Sequence, residues 1–250
     1  MSQNKNERVL LVDNSNTRTK FVLQINGQLQ PCQRVLPTAS ITPVAVARLL
    51  RGWRYDRAEI CSVVPNRVAA LEDGVACPVR LLNRHSKLNI QLDYEGVATL
   101  GADRIANAMA AAALCPLPCV AVDLGTAVTF DVVVSGDPLP RFIGGVIAPG
   151  LAGMTQYLSR NTAQLPAIEP EEPQHAIGRN TSEALRAGTV YGYRGLIREI
   201  LSSIEAELGD KPYVIATGGD AVLLASQLEE INAVDPLLTF RGIALAANLA

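Results

Sequence analysis

Residues Ala121-Val122-Asp123-Leu124-Gly125-Thr126-Ala127-Val128-Thr129-Phe130-Asp131 bring one apolar run into a small polar turn and lead a second one out. Cys119 to Val122 is apolar, an aspartate follows, then Gly-Thr, and Val128 to Val134 is again rich in β-branched residues. The pattern predicts a strand, a tight turn and a returning strand, with the carboxylate at the lip of the hairpin. Gly125 has no Cβ, so backbone amides can come close to a bound anion there. Thr126 adds a hydroxyl donor. Asp123 can hold a divalent cation directly or through water. Together these residues read as a clamp for phosphate and metal.

The pattern occurs once more, in Leu10-Leu11-Val12-Asp13-Asn14-Ser15-Asn16-Thr17-Arg18-Thr19-Lys20-Phe21-Val22-Leu23. Asp13 and Asp123 are 110 positions apart in a chain of 250. A single such hairpin reads as an ordinary strand pair with a solvated aspartate in its turn. Its recurrence at about half the chain length points instead to an internal duplication. The expected fold is therefore α/β: two similar domains, residues 1–115 and 116–250, with a nucleotide held in the cleft between them.

Composition agrees with a globular chain. Hydrophobic residues make up 48% and charged residues 18%, which excludes a disordered polymer. The net charge of −2 carries no basic stripe, and aromatic residues are few, so a nucleic-acid partner is not expected. No apolar run reaches the roughly 20 residues of a bilayer span, and the polar start from Met1 to Arg8 is too short for a signal peptide. A cytoplasmic protein without a membrane partner is expected. The five cysteines are irregularly spaced and only two histidines are present, so reduced thiols are expected rather than a zinc site.

Further elements follow from capping and periodicity. Thr42-Pro43 starts a helix, Ala58 to Val64 is a short buried strand, and a helix (Asn66 to Asp73) and a strand (Pro78 to Leu82) come next. Asp93 to Thr99 reads as a loop. Gly101-Ala102-Asp103-Arg104 opens an Ala-rich helix that ends before Pro116. In the second half, Gly144 to Gly150 reads as a Gly-rich turn into a helix, and Asn161 to Arg179 as loop. Thr181 is read as the cap of a long helix running to about Leu208, Tyr213 to Ala216 as a strand entering Thr217-Gly218-Gly219, and Phe240 to Leu249 as a closing helix.

Phosphoryl transfer needs a metal near the phosphates, donors on their oxygens, and a group that orients or deprotonates the acceptor. Asp13 and Asp123 suit the metal. Asn16, Thr17, Lys20 and Thr126 suit the phosphates. Asp103 is left for the acceptor, although a carboxylate in that place would also serve the helix dipole. The backbone of Gly218 and Gly219 can lie against a ring or ribose, or form a plain turn. Neither Gly-x4-Gly-Lys-Ser/Thr nor Gly-x-Gly-x-x-Gly is present.

Taken together, these residues resemble the type III pantothenate kinases of the acetate and sugar kinase/Hsp70/actin superfamily. The resemblance rests on Asp13 to Thr17 with Lys20, Ser62-Val63-Val64-Pro65, Tyr94, Gly101-Ala102-Asp103-Arg104, and Asp123 to Ala127. It also takes in Gly144-Gly145, Pro149-Gly150, Leu165-Pro166, Gly178 to Thr181, and Thr217-Gly218-Gly219. It implies two actin-like (ribonuclease H-like) domains, and phosphorylation of pantothenate by ATP to 4′-phosphopantothenate, the first step of coenzyme A synthesis. It further implies Mg2+ with the ATP, and Asp103 as the base. Tyr94, Gly101, Ala102, Asp103 and Arg104 would bind the substrate. The resemblance implies a homodimer in which Thr181 completes the neighbour's pocket, and a monovalent cation, K+ or NH4+, expected near Asp123.

Two positions depart from the family pattern. Ser15 stands where glycine is usual, and a positive φ there would cost about 1 kcal/mol. Val97 replaces a proline, which would loosen the pocket loop. Two other functions compete: a non-catalytic regulator like the Bvg accessory proteins, and another small-molecule kinase or phosphatase of the superfamily. Retention of Asp13, Asp103 and Asp123 argues against the first. The short chain and Gly101 to Arg104 argue against the second.

Overall fold

The computed structural model of the chain describes residues 7–249, so the polar start lies outside the described residues except for Glu7 and Arg8. The first half opens with strands β1 (Arg8–Asn14), β2 (Arg18–Ile25) and β3 (Gln28–Pro37). Helix α1 (Pro43–Leu49), strand β4 (Arg57–Ser62), helix α2 (Pro65–Val75) and strands β5 (Val79–Leu81) and β6 (Gln91–Leu92) follow. Helix α3 (Ala102–Leu114) ends this half. The second half runs β7 (Cys119–Leu124), β8 (Ala127–Val134), β9 (Arg141–Pro149), α4 (Leu151–Asn161), α5 (Thr181–Leu208), β10 (Tyr213–Thr217), α6 (Ala221–Ala225), β11 (Ala233–Val234) and α7 (Leu238–Leu249).

The two halves share one topology. In the first, β1 pairs antiparallel with β2 and parallel with β4, giving the order β3-β2-β1-β4-β5. In the second, β7 pairs antiparallel with β8 and parallel with β10, and the order is β9-β8-β7-β10-β11, with the two-residue β6 added parallel at the start of β9 as a sixth strand. The orders coincide when β7 stands for β1 and β11 for β5. Asp13 and Asp123 are each the penultimate residue of their first strand, opposite Lys20 and Thr129 respectively. The duplication inferred from the repeated hairpin is thus a duplication of topology.

The chain divides into two compact units. One contains the chain up to Leu114, Gly136–Phe142, and everything from Leu237 onward; the other contains Cys115–Ser135 and Ile143–Pro236. The single stretch 116–250 read from the sequence therefore gives two of its segments to the first unit. In that unit β1 is buried on both faces, which is why Val9 to Val12 read as a continuous apolar run. Helices α1 and α2 cover one face with Leu10, Val12, Phe21, Ile60 and Leu71. Helix α3 packs against α7 at short range: a Cβ on Gly242 would stand 1.9 Å from the Ala106 carbonyl oxygen. The alanines of α3 are what permit that approach. In the second unit, Tyr193 and Ile197 of α5 share one apolar cluster with Val120, Val122 and Phe130 of the sheet.

Several elements differ from the sequence reading. Gly144 to Pro149 is strand rather than turn, with φ of 122° at Gly144 and 157° at Gly145. The cap of α5 is Asn180, whose side chain accepts from the Glu183 amide at 2.9 Å; Thr181 is the first helical residue. The loop after Asp93 contains a short 3-10 turn, Val97–Thr99. β6, α6 and β11 were not expected. None of the described helices is long and apolar enough to cross a membrane.

Candidate active site

Asp13, next to last in β1, is 4% exposed. Its Oδ1 accepts from the Ser15 hydroxyl at 2.7 Å, and Lys20 Nζ lies 3.5 Å from Oδ2. The turn closes through the Ser15 amide on the Arg18 carbonyl at 3.2 Å and leaves Asn16 and Thr17 exposed. Among the described residues, Asn26 and Ala76 are the non-glycine positions with positive φ. Ser15 is not one of them, so the strain anticipated for a side chain there is absent.

In the same unit, α3 begins at Ala102, which is buried, and its first turn carries Asp103. Asp103 Oδ1 accepts from the Arg104 amide at 2.8 Å. A Cβ at Gly101 would stand 2.5 Å from Asp103 Oδ1, so any side chain there would push the carboxylate from its place. Burial pushes the Asp103 carboxyl above its ordinary value; the Arg104 amide works against that shift, and the charge of Asp13 reinforces it. Asp103 is half-buried, and a desolvated carboxylate pushed upward beside a second carboxylate is a common setting for a base. The site also holds Arg104, itself buried, with its guanidinium 5.9 Å from the Tyr94 ring and 5.5 Å from the Phe142 ring. Those two rings meet edge to face at 5.7 Å. Tyr94 folds over Gly96, where a Cβ would stand 2.9 Å from the ring.

The second hairpin carries its own set. Asp123 is half-buried, and Thr126 is exposed at the tip. The Gly125 amide donates to the Ala127 carbonyl at 3.2 Å. Two glycines brace this loop from outside it. The Gly150 amide donates to the Thr126 carbonyl at 3.0 Å, and a Cβ on Gly150 would stand 2.2 Å from the Gly125 oxygen. Gly218, at φ 98°, approaches the Leu124 backbone so closely that a Cβ would lie 2.4 Å from its oxygen. The next residue but one, Asp220, donates its amide to the Leu124 carbonyl at 3.0 Å. Gly218 is thus fixed by the loop behind it, while Gly219 is exposed. Tyr193, fully buried, donates its hydroxyl to the Pro149 carbonyl and holds the end of β9 in place. Thr181 is exposed at the start of α5.

Among the described residues, no group of three or more His, Cys, Asp or Glu side chains forms a metal cage. Single carboxylates beside donor-lined turns fit a hard divalent ion held mostly by phosphate oxygens and water.

Within the first unit the structure brings together Asp13, Ser15 and Lys20, and likewise Asp103, Arg104 and Tyr94. Within the second it brings together Asp123, Thr126 and Gly218. Phe142 was missed by the sequence reading. It follows a charged residue after a proline-containing loop, and nothing local marks it as belonging beside Tyr94.

The family described as Type III pantothenate kinase matches residues 9–203 of this chain. A type III pantothenate kinase from Akkermansia muciniphila is 51% identical over 240 residues, covering 96% of this chain and 98% of that protein. Among solved structures, a conserved protein of the Baf transcriptional-activator family from Campylobacter jejuni superposes with a TM-score of 0.64 at 22% identity, over 96% of this chain and 97% of that one. A glucokinase from an Antarctic psychrotroph gives 0.55 at 11% identity, over 98% and 99%. At those identities the two structures bear on the fold alone, and the glucokinase agrees with an actin-like kinase architecture. On the match to the family and the near full-length identity to one of its members, the chain belongs to the type III pantothenate kinases.

Proposed function

We infer that this chain transfers the γ-phosphoryl group of ATP to the hydroxyl of pantothenate, the first step of coenzyme A synthesis, with Asp103 as the base. The hydroxyl oxygen bonds to the γ-phosphorus as the bond from phosphorus to the β,γ-bridging oxygen breaks. ADP leaves with that electron pair, and the hydroxyl proton passes to the Asp103 carboxylate. The observation that carries this reading is the half-buried Asp103 carboxylate in the first turn of α3, near enough to Asp13 to feel its charge and followed directly by Arg104, whose guanidinium faces the Tyr94 and Phe142 rings. One oxygen of Asp103 is occupied by the Arg104 amide, which leaves the other for the acceptor. In a loose transition state the base also serves by orienting the hydroxyl.

Asn16, Thr17 and Lys20 of the first unit, and Thr126 with Gly218 and Gly219 of the second, are the proposed phosphate and nucleotide contacts. Asp13 and Asp123 would hold Mg2+, which neutralises charge on the phosphate oxygens when it is bound with ATP. Gly101, Ala102 and Arg104 with Tyr94 would hold pantothenate, Arg104 facing its carboxylate. A monovalent cation, K+ or NH4+, is proposed near Asp123. The enzyme is proposed to be a cytoplasmic homodimer in which Thr181 reaches the neighbouring copy's pocket. Ile177, 83% exposed four residues before Thr181, is the kind of side chain a second copy would cover.

The test is ADP release from ATP and Mg2+, with and without pantothenate and with and without K+. Turnover that needs pantothenate and rises with K+ is expected. A folded protein with no pantothenate-dependent turnover would move the assignment to a non-catalytic regulator.

A further inference from the structure

Thr38, which no motif marks, grips the first hairpin at two points. Its amide donates to the Thr17 carbonyl at 3.0 Å, and its hydroxyl donates to the Ser15 carbonyl at 2.7 Å. Only Asn16 lies between those two anchors. The Thr38 hydroxyl also lies 3.0 Å from that of Thr19, which is 2.8 Å from the Asn14 side-chain amide. The far side of that amide meets the Ser62 hydroxyl at 2.8 Å, and Ser62 Oγ accepts from the Val64 amide at 3.1 Å. The backbone closes the same link, the Val63 amide donating to the Asn14 carbonyl at 3.1 Å. Val63 in turn stands 3.5 Å from the place of a Gly101 Cβ, beside Asp103. The middle of this chain is dry: Asn14 is 1% exposed, Thr19 0% and Thr38 2%.

Counting protons fixes its direction. With the Asn14 amide donating to Ser62 and accepting from Thr19, the proton of Thr19 is used, and that of Thr38 is used on Ser15. None then remains for the contact between Thr19 and Thr38. Turning the amide about its axis exchanges its oxygen and nitrogen between the same two positions and gives each contact one proton. Ser62 then donates to Asn14, Asn14 to Thr19, Thr19 to Thr38, and Thr38 to the Ser15 carbonyl. Breaking one buried link leaves a desolvated hydroxyl or carbonyl without its partner, which the fold resists. The loop and the turn are therefore tied to one another by buried hydrogen bonds.

We propose that Thr38, Thr19, Asn14 and Ser62 act as positioning residues, a buried relay through which nucleotide on the Asp13–Thr17 loop orders the Ser62–Pro65 turn beside Asp103 for pantothenate. The proposal rests on the roles given above to Asp13 and Asp103. It is tested by titration calorimetry of pantothenate into the full chain, alone and saturated with Mg2+ and a non-hydrolysable ATP analogue. In the wild type the analogue should tighten pantothenate binding about fivefold or more, a coupling that must act equally in both directions. Thr38→Val and Ser62→Ala should each bring that factor below about twofold, with either ligand alone bound within about twofold of wild type. Thr38→Ser, which keeps the hydroxyl, should keep the coupling. If Thr38→Val does not fold, Ser62→Ala carries the same test. Binding without coupling in the wild type, or full coupling in Ser62→Ala, overturns the relay alone. Failure of the wild type to bind pantothenate at all overturns the functional reading and the relay with it.

Discussion

At Asp103 burial raises the carboxyl above its ordinary value of 3.8, and the nearby Asp13 adds to the shift. The folded-state pKa then exceeds the unfolded one, so the ionised side chain destabilises the fold. That penalty is fully present above the folded pKa and disappears below the unfolded one. Asp103→Asn should therefore melt at or above the wild-type temperature at neutral pH, the difference closing in acid; a lower melting point at neutral pH would contradict burial as the cause. For the same reason the acid limb of kcat/KM should lie above 3.8 in a pH–rate profile. Arg104 offers a different prediction. Lysine in its place keeps the charge but cannot lie against the Tyr94 and Phe142 rings, a loss of about 1–2 kcal/mol. Arg104→Lys should raise KM for pantothenate about tenfold with kcat little changed, measured by steady-state kinetics. Asp13, Asp103 and Asp123 were legible in the sequence because a carboxylate that ends an apolar strand or opens a helix breaks a strong pattern. Thr38 and Phe142 were not, because their importance comes from partners distant in the chain.

Glycines separate the elements that were read correctly from those that were not. Gly144 and Gly145 looked like a turn because paired glycines usually mark one, yet here they extend β9 in conformations unfavourable to other residues. Thr181 looked like a helix cap, but the spacing of Asn180 and Glu183 forms the true capping pair: Glu183 also accepts from the Arg179 amide at 2.8 Å and the Asn180 side chain at 2.7 Å. The start of α4 gives a paired test of how the loop of the second hairpin is braced. Gly150→Ala drives a methyl into the Gly125 and Thr126 carbonyls and should destabilise the fold by about 1–3 kcal/mol. Gly153→Ala, inside the same helix with nothing within 4 Å of its new methyl, should stabilise it by about 0.5–1 kcal/mol. Urea unfolding of the two variants measures both. Equal effects would remove Gly150 from the bracing of the loop.

For the whole molecule, the 110-residue interval between the two aspartates was enough to reveal a duplicated fold, and the matching strand orders agree with it. The return of α7 to the first unit was not legible. Its apolar face is a generic one, and its partner is selected by contacts distant in the chain: Gly242 against Ala106, the Thr239 hydroxyl on the Asn107 side chain at 2.8 Å, and Arg57 and Arg80 on the Ala247 carbonyl. The proposed dimer makes a further prediction: the chain should sediment as a dimer, and Ile177→Asp should weaken that dimer and pantothenate turnover together. The claim on which the rest depends is that Asp103 accepts the pantothenate proton. Its most direct test is single-turnover phosphoryl transfer by Asp103→Asn, with ATP binding measured on the same preparation. A rate lower by about 10²–10⁴-fold with nucleotide affinity retained is the result predicted. A rate within a few-fold of wild type would contradict it.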